Sequence, residues 1–262
     1  MDLRDCRIVV VNDDGIDAYG FSILEQAARQ HSQDVWVVAP SSDQSGRARA
    51  MSYRKEIRVH ARAERRFAVE GTPADCVIVA LNGLLTDRPV DLVLSGINDG
   101  ENIADDVASS GTVGACLEAA DQNVPGIAFS QGWGDFEGTN WTCSKALTAS
   151  LLPKLAAAIS DPRMVLNVNF PAVDDTQQVA GCRVVHTGWR TGPTTLEEHP
   201  GSDGQRVFYI ESLREDRPNE PDCDLDLLSQ NYLTVTPLTL DQTNYNALKT
   251  TGERLKDALR PR

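Results

Sequence analysis

The chain has 262 residues, and 41% of them are hydrophobic, which is enough to bury the core of one large α/β domain or of two small ones. Its 38 acidic residues outnumber the 25 basic residues, and the resulting formal charge of −13 repels nucleic-acid phosphates and anionic lipids. The composition therefore excludes a disordered tail and argues against a protein that binds duplex nucleic acid through a basic face.

The first apolar run, residues 8–11, is far too short for the hydrophobic segment of a signal peptide or for a membrane span. The six cysteines are widely spaced and form no C-x-x-C pair, a pattern typical of reduced structural thiols. We therefore expect a cytoplasmic protein that has no membrane partner and no stable complex with duplex nucleic acid.

Apolar runs and helical periodicity alternate along the first two thirds of the chain. Five apolar runs predict buried strands of a parallel sheet: residues 8–11, 35–39, 90–94, 126–129 and 165–170. Four stretches with apolar residues three and four positions apart predict helices: residues 21–29, 75–84, 113–121 and 144–159. This alternation predicts an α/β fold with a mostly parallel, doubly wound sheet between layers of helices, a three-layer sandwich.

The pattern changes after Pro171. Residues 186–190, 206–210 and 232–235 predict short strands, for which hairpins are the favoured arrangement, and the acidic stretch 211–226 predicts a solvated loop. Residues 245–259 predict a last helix. We expect an α/β catalytic core at residues 1–175 and, within the same domain, a projecting β-hairpin extension with a C-terminal helix at residues 176–262.

Two adjacent carboxylates, Asp13 and Asp14, come directly after the first predicted strand. Ligands of open α/β sheets bind at the carboxyl ends of the strands, so this is a favoured position for a site. The two negative charges repel one another, and a hard divalent cation with oxygen ligands relieves that repulsion. A helix cap followed by a flexible turn at Gly15 explains the same residues without a metal.

Polar loops follow two further predicted strands. Ser45 precedes Gly46, whose flexibility lets a hydroxyl approach a metal or an anion, although an ordinary loop explains the pair equally well. Asn98 offers a neutral carbonyl oxygen that suits Mg²⁺ or Mn²⁺, and an Asx turn is the alternative. Because all these loops follow strands of one parallel sheet, we expect them to converge on one edge.

The third predicted helix opens with Ser110, Gly111 and Thr112. Hydroxyl groups and free amides at a helix amino end form an anion site, and the helix dipole favours a phosphate there. Ordinary N-capping explains the same residues. The other polar loops at this sheet edge favour the phosphate interpretation.

Several familiar catalytic motifs are missing from the sequence. It contains no Walker A sequence, no G-x-G-x-x-G after the first strand, no G-x-S-x-G elbow and no H-E-x-x-H. The four histidines follow none of the predicted strand ends, so zinc chemistry and a Ser-His triad lack support.

Several sequence blocks occur in one order along the chain: residues 12–15, 37–40 with 45–46, 71–77, 91–98 and 110–115, with later echoes at 166–171 and 232–238. Together they resemble the SurE-type survival protein family, 5′/3′-nucleotidases that dephosphorylate nucleoside monophosphates with a divalent metal. The resemblance implies a metal-dependent phosphomonoesterase. It also implies that the extension is exchanged between protomers to give a homodimer or homotetramer.

The resemblance assigns roles to seven residues. It implies that one Mg²⁺ or Mn²⁺ is held by Asp13, Asp14, Ser45 and Asn98, and that the phosphate faces Ser110, Gly111 and Thr112. Asp14 is our candidate for orienting the attacking water, and together with Asn98 it is the predicted catalytic pair. A broad phosphatase acting on short polyphosphate or oligonucleotides, or a non-catalytic nucleotide-binding protein, is the alternative.

Two positions differ from the commoner pattern of the family, which has basic residues where this chain has Gln44 and Asp99. We expect the charge of Asp99 at the mouth of the site to weaken capture of a dianionic phosphate, with Arg47 or Arg49 as candidates to offset it. Replacing Asp99 by Arg is therefore predicted to lower KM.

Overall fold

Thirteen strands are present in the computed structural model, which describes residues 1–133, 138–191, 194–202, 205–211, 215–218 and 220–256. In chain order they are β1 (Arg7–Val11), β2 (Asp34–Pro40), β3 (Val59–Ala63), β4 (Arg66–Val69), β5 (Leu92–Asp99), β6 (Gly126–Gln131), β7 (Val165–Phe170), β8 (Gly181–Val184), β9 (Arg190–Thr191), β10 (Thr195–Pro200), β11 (Arg206–Glu211), β12 (Glu215–Pro218) and β13 (Tyr232–Leu238). Nine of them form one sheet in the order β3-β4-β2-β1-β5-β6-β7-β13-β8. Only the β3/β4 and β7/β13 pairings in that sheet are antiparallel, so the predicted mostly parallel sheet is confirmed.

The described residues form six α-helices: α1 (Tyr19–Arg29), α2 (Pro73–Val79), α3 (Gly111–Asp121), α4 (Thr142–Ala158), α5 (Asp224–Ser229) and α6 (Tyr245–Leu255). The first four cover the two faces of the central sheet. Side chains of α1 and α4 pack with Ile8 and Val10 of β1, whereas side chains of α2 and α3 pack with Val9 and Val11. Successive residues of a strand point to opposite faces, so β1 is buried on both sides and the three-layer α/β sandwich is confirmed.

The alternation of apolar runs and helical periodicity correctly predicted the strands and helices that form the core. All five predicted strands of the first 175 residues are present, and β5 and β6 run beyond their predicted ends towards the site. The four predicted helices are present as well. The predicted helix at 75–84 is α2, which begins with a capping box between Thr72 and Asp75, followed by one turn of π-helix at Ala80–Leu84.

The sequence analysis missed one hairpin, and its expectation for the acidic stretch was wrong. Strands β3 and β4 form an antiparallel hairpin at the sheet edge that no apolar run indicated, since β3 is exposed throughout. The acidic stretch 211–226 is not a solvated loop: it contains β12 and the start of α5, and Cys223, Asp224 and Leu225 are buried. Composition misled here because the carboxylate of Asp224 accepts hydrogen bonds inside the protein instead of facing water.

The extension divides into a part within the central sheet and a part outside it. Strands β8 and β13 complete the sheet beside β7. Strands β10 and β11 pair only with each other in a projecting antiparallel hairpin, which confirms the predicted strand at 206–210. The strand predicted at 186–190 is wrong apart from its last residue, because only Arg190 lies in β9 and His186 makes an isolated bridge with Cys223.

The C-terminal helix predicted at residues 245–259 begins at Tyr245 and is described as far as Leu255, with residues 257–259 outside the described part of the chain. All six cysteines are free thiols, and five of them are buried. Across the described residues, no helix has both the length and the apolar character that a membrane crossing needs.

Candidate active site

A cavity of about 490 Å³ opens at the carboxyl edge of the central strands. Four of the predicted site residues line it: Asp13, which follows β1; Ser45, which follows β2; Asn98, at the end of β5; and Ser110, which precedes α3. These residues are up to 97 positions apart in the sequence. The parallel sheet brings them together because its strands end at the same edge.

Asp13 is held rigidly at the inner end of the cavity, with only 4% of its surface exposed. The hydroxyl of Thr112 donates a hydrogen bond to its Oδ1. Gly111 lies so close that a Cβ added there would come within 2.7 Å of Oδ2. The backbone NH of Gln44 donates to the carbonyl oxygen of Asp13 at 2.8 Å, which ties the loop after β2 to the end of β1.

Asp14 is half-buried beside the cavity and is not among its lining residues. Its Oδ2 accepts a hydrogen bond of 3.3 Å from the backbone NH of Asp99. Burial, followed by the nearby charge of Asp13, raises the pKa of Asp14 to about 7. Burial also raises the pKa of Asp13. Two desolvated carboxylates in neighbouring positions form an electrostatic environment that a cation stabilises.

Ser45 and Asn98 are oriented by contacts within their own loops. The backbone NH and the hydroxyl of Ser45 both donate to Oδ1 of Asp43, at 2.8 and 2.6 Å. The side-chain amide of Asn98 donates through Nδ2 to the carbonyl oxygen of Gly100 at 2.8 Å. This contact fixes the amide so that Oδ1 is the atom available to a ligand, as the metal interpretation requires.

Buried asparagines hold the loop that follows Asn98. Nδ2 of Asn167 and Nδ2 of Asn169, both on β7, donate to the carbonyl oxygen of Asn102 at 2.7 and 3.2 Å. The backbone NH of Asn102 in turn donates to Oδ1 of Asn169 at 2.8 Å. Asn102 lines the cavity, so the polar residues of an otherwise apolar strand position one of its walls.

The helix start at residues 110–112 shows the N-cap that the sequence offered as one of two interpretations, and it leaves Ser110 facing the cavity. The hydroxyl oxygen of Ser110 accepts a hydrogen bond of 3.0 Å from the backbone NH of Val113, which is an ordinary N-cap. Ser110 keeps its hydroxyl proton and lies in the cavity lining. Gly111 and Thr112 lie behind it, against Asp13, and are not lining residues.

The cavity wall contains charges that sequence reasoning missed. Arg190, from β9, lines the cavity with a nearly buried side chain, and its Nη1 lies 2.6 Å from Oδ2 of Asp106. Neither Arg47 nor Arg49 is a lining residue, and Arg49 instead pairs with Glu118 and Asp121 on α3. The expectation that Arg47 or Arg49 offsets Asp99 is therefore not supported.

Asp99, Glu101 and Asp106 join Asp13 in the lining, so carboxylates outnumber the single guanidinium among the described lining residues. Trp133 lines the mouth of the cavity. No spacing in the sequence indicates Arg190 or Trp133, because only the folded chain brings β9 and the end of β6 to the loop after β5.

The donor atoms at this edge suit a hard divalent cation. Asp13, Asp14, Ser45 and Asn98 offer carboxylate, hydroxyl and amide oxygens, the ligand types that Mg²⁺ and Mn²⁺ prefer. Within the described ranges, no group of three or more His, Cys, Asp or Glu side chains could hold a metal. A soft-metal or zinc cluster thus has no support there, whereas a site with two carboxylates and neutral oxygens remains consistent with the fold.

A family model described as "Survival protein SurE" matches residues 8–192, which include every lining residue of the cavity. The chain belongs to the SurE family. Curated relatives in this family are similar over nearly their whole length. A protein named 5′-nucleotidase SurE 1 from Burkholderia lata is 40% identical over 244 residues, which cover 92% of this chain and 93% of that protein.

Another relative, named 5′-nucleotidase SurE, from Parvibaculum lavamentivorans, is 37% identical over 263 residues, covering 99% of this chain and 94% of its own. Among solved structures, the SurE protein from Aquifex aeolicus has a TM-score of 0.80 at 28% identity, covering 94% of this chain and 98% of the other. The central sheet and its helices are therefore those of the SurE family, as the resemblance of the sequence blocks implied.

Proposed function

We propose that this protein is a metal-dependent phosphomonoesterase that hydrolyses nucleoside 5′- or 3′-monophosphates to nucleoside and phosphate. The observation that carries the proposal is the cavity in which Asp13, Ser45, Asn98 and Ser110 meet at the carboxyl edge of the parallel sheet. The relatives named 5′-nucleotidase, similar over more than nine tenths of the chain, support the same activity.

Asp13, Asp14, Ser45 and Asn98 are the residues that would hold the cation. A divalent cation supplies positive charge to the phosphoryl oxygens and acidifies water. The donor set favours Mg²⁺ or Mn²⁺. Without added positive charge, the carboxylates in the wall repel a dianionic phosphate, and Arg190 is already engaged with Asp106. The cavity therefore needs a cation to bind its substrate as well as to activate it.

Asp14 orients the attacking water and accepts its proton as the water attacks phosphorus. The water oxygen bonds to phosphorus as the bond to the ester oxygen breaks. The leaving oxygen takes up a proton from solvent water, and Asp14 then returns the proton it accepted to solvent. The hydroxyl of Ser110 donates to a phosphoryl oxygen, and the amides at the start of α3 stabilise the charge that develops there. Asn98 would act through the cation, which its side-chain carbonyl oxygen would help to hold while its Nδ2 donates to the carbonyl oxygen of Gly100.

The test is release of phosphate from all ribo- and deoxyribonucleoside monophosphates, with Mn²⁺, with Mg²⁺ and with EDTA. We expect activity that requires the metal and that falls at least about 1,000-fold in Asp13→Asn and in Asp14→Asn. Asp161→Asn, an exposed carboxylate far from the cavity, is the matched control and should retain full activity. Activity that survives both substitutions and EDTA would overturn the mechanism.

Tripolyphosphate and a short RNA belong in the same substrate panel. Turnover of either at a rate comparable to AMP would identify a broad phosphatase. Metal-dependent binding of AMP with no turnover of any compound would identify a nucleotide-binding protein that is not an enzyme. Both alternatives use the same cavity, so the panel distinguishes them by chemistry and not by location.

We also propose that the protein forms a homodimer or homotetramer through its extension. The support is the β10–β11 hairpin, where Leu196 and Ile210 lie opposite each other and are 61% and 76% exposed. Isolated two-stranded hairpins are marginally stable, and apolar residues of this size gain burial against a second copy. A cytoplasmic location remains a prediction from the sequence.

A further inference from the structure

Trp133 lies in the lining of the cavity and is 56% exposed. An indole ring is one of the largest apolar groups in proteins, and exposing more than half of it forgoes a substantial gain from burial. The ring belongs to the short segment that follows β6, directly beside the loop that carries Asn98. A ring in this position can contact a ligand that enters the cavity.

The ring is oriented although it is exposed. Nε1 of Trp133 donates a hydrogen bond of 2.7 Å to Oδ1 of Asp99, and its backbone NH donates to Oε2 of Glu101 at 3.1 Å. The indole lies against Gly100, where an added Cβ would come within 3.0 Å of Cε2 and Cζ2. A ring held in this way loses little conformational freedom when a ligand binds to it.

The two ends of the cavity differ in depth and chemistry. Asp13 and Ser110, at the phosphate end, are 4% and 6% exposed, whereas Trp133 stands at the mouth. The volume of about 490 Å³ is in the range of sites for whole small molecules and is more than a phosphate group needs. A nucleoside monophosphate whose phosphate lies at Asp13 and Ser110 has room to extend its nucleoside outwards, and the indole is the aromatic ring in the lining that it can meet.

We propose that Trp133 is the platform on which the nucleobase of the substrate stacks, and that Asp99 is the positioning residue that orients it. This inference rests on the proposed function and adds to it the part of the substrate that the catalytic groups do not touch. Every base has a π-face, so the platform accepts all bases and favours the larger purines. It makes the enzyme prefer phosphate esters that carry a base over those that do not.

Asp99 therefore affects substrate binding in two ways: its charge repels the phosphate, and its carboxylate orients the indole of Trp133. Its carboxylate accepts hydrogen bonds from the indole of Trp133 and from the hydroxyl of Thr139. The predicted repulsion between Asp99 and the phosphate acts on every phosphate ester alike, whereas loss of the oriented indole affects only esters with a base. The two effects are separable by the choice of substrate.

The experiment compares kcat/KM for AMP with kcat/KM for ribose 5-phosphate, which has the same sugar and phosphate but no base. In Trp133→Ala we expect the ratio of the two values to fall by roughly 5- to 150-fold, mainly through KM for AMP. Trp133→Phe keeps an aromatic face and should retain most of the ratio. Tyr53→Ala, which removes an exposed aromatic ring outside the cavity, is the matched control and should leave the ratio unchanged.

Variants of Asp99 test its positioning role. Asp99→Ala should lower the ratio, and Asp99→Asn should largely restore it because an amide oxygen still accepts the bond from Nε1. Asp99→Arg should help ribose 5-phosphate and AMP through charge, yet still lower the ratio. A Trp133→Ala enzyme in which both substrates change equally, or in which neither changes, would overturn the proposal.

A binding measurement keeps this proposal separate from the proposed function. Adenosine should quench part of the tryptophan emission of the wild-type protein, whereas Trp133→Phe should lose that part and ribose should cause no quenching. If the wild type hydrolyses neither substrate, the proposed function fails while adenosine quenching still decides whether the platform exists. An absence of quenching specific to Trp133 overturns the platform even in an active enzyme.

Discussion

Strand β5 is buried from Leu92 to Ile97, with only Asn98 and Asp99 at its end reaching the surface, whereas strand β10 exposes nearly every residue from Thr195 to Pro200. At the inner end of the cavity, the side chain of Asp13 stands on backbone that the core fixes, and it accepts a hydrogen bond from the buried Thr112. In the β10–β11 hairpin, large apolar side chains stand on backbone that only a second exposed strand supports.

The difference shows which part of the molecule can hold catalytic side chains in fixed positions. A side chain at the end of a buried strand inherits the rigidity of the sheet, and catalysis depends on positions that are accurate to a fraction of an ångström. The hairpin has no comparable support within one chain. We therefore expect substitutions at the cavity edge to act on activity and stability together, and substitutions in the hairpin to act on association.

The sharpest test of the rigid edge is Gly111→Ala, because the new Cβ would lie 2.7 Å from Oδ2 of Asp13. Displacing this carboxylate should lower kcat/KM for AMP at least about 100-fold. Overpacking should also lower the free energy of unfolding by about 1–3 kcal/mol. Gly252→Ala, on α6 with open space around it, is the matched control. Unchanged kinetics in Gly111→Ala would show that the edge is far more compliant than the structure indicates.

Asp224 links the rigid edge to the extension. Its carboxylate is fully buried and accepts the backbone NH groups of Ala104, Gly188 and Leu225 at 2.8–2.9 Å. Asp224→Ala leaves these donors without a partner, which should cost about 3 kcal/mol and lower Tm by roughly 6–12 °C. KM should rise as well, since Gly188 is two residues from Arg190 in the cavity wall.

Thermal unfolding of Asp224→Ala beside Asp174→Ala, which removes an exposed carboxylate, checks this expectation. Equal melting temperatures for the two variants would mean that the extension contributes nothing to the stability of the site.

Substitution of Asp14 should stabilise the protein in the absence of a cation, whereas the substitutions of Gly111 and Asp224 should destabilise it. Its pKa is about 7 in the folded protein and 3.8 in a free side chain, so folding without a cation favours the protonated form. In EDTA, the contribution of Asp14 to wild-type stability should therefore be largest below about pH 4 and fall as the pH rises to about 7. Asp14→Asn removes this loss and should raise Tm above pH 7, by roughly 2–4 °C for each kcal/mol of relieved repulsion.

Adding Mn²⁺ should make the wild type more stable than Asp14→Asn, because the wild type binds the cation better than the variant does. Melting curves of both proteins at pH 4 and pH 8, with EDTA and with Mn²⁺, test the expectation. A wild type that is the more stable protein in EDTA at pH 8 would contradict the electrostatic account of this edge.

The smallest effect on the single chain is expected in the hairpin. Leu196→Glu combined with Ile210→Lys exchanges an exposed apolar pair for an opposite-charge pair across the two strands. The free energy of unfolding of one chain should change by no more than about 0.5 kcal/mol. Sedimentation at micromolar concentration should nevertheless shift to a smaller species. A wild type that sediments as a monomer, or a variant that assembles as the wild type does, contradicts the proposed association.

The polar blocks that follow the buried strands were predictable because several local signals agree. The β-branched run of β1 identifies a strand buried on both faces, and Asp13 and Asp14 follow it at once. Once parallel strands are inferred, their carboxyl ends must share an edge, so the meeting of Asp13, Ser45, Asn98 and Ser110 needed no further information. The capping residue Ser110 marked the start of α3 for the same local reasons.

Predictions from composition were wrong where an acidic residue is buried and where a strand is exposed on both faces. Asp224 lies in an acidic stretch that is typical of solvated loops, yet three backbone donors replace water around its carboxylate. Strand β3 carries no apolar run because both of its faces are exposed at the sheet edge. The local sequence pattern does not indicate such hydrogen-bond partners, because they come from distant parts of the chain.

By itself, then, the sequence determined the order of the five buried strands and four helices of the core, their buried faces, and the polar groups at the strand ends, because these depend on neighbours within a few residues. Only the tertiary structure decided that Arg190 pairs with Asp106 in the cavity wall and that the indole of Trp133 leans on Gly100 with its NH on Asp99. Such contacts join segments tens of residues apart, and they depend on the packing of the whole sheet and not on any spacing along the chain.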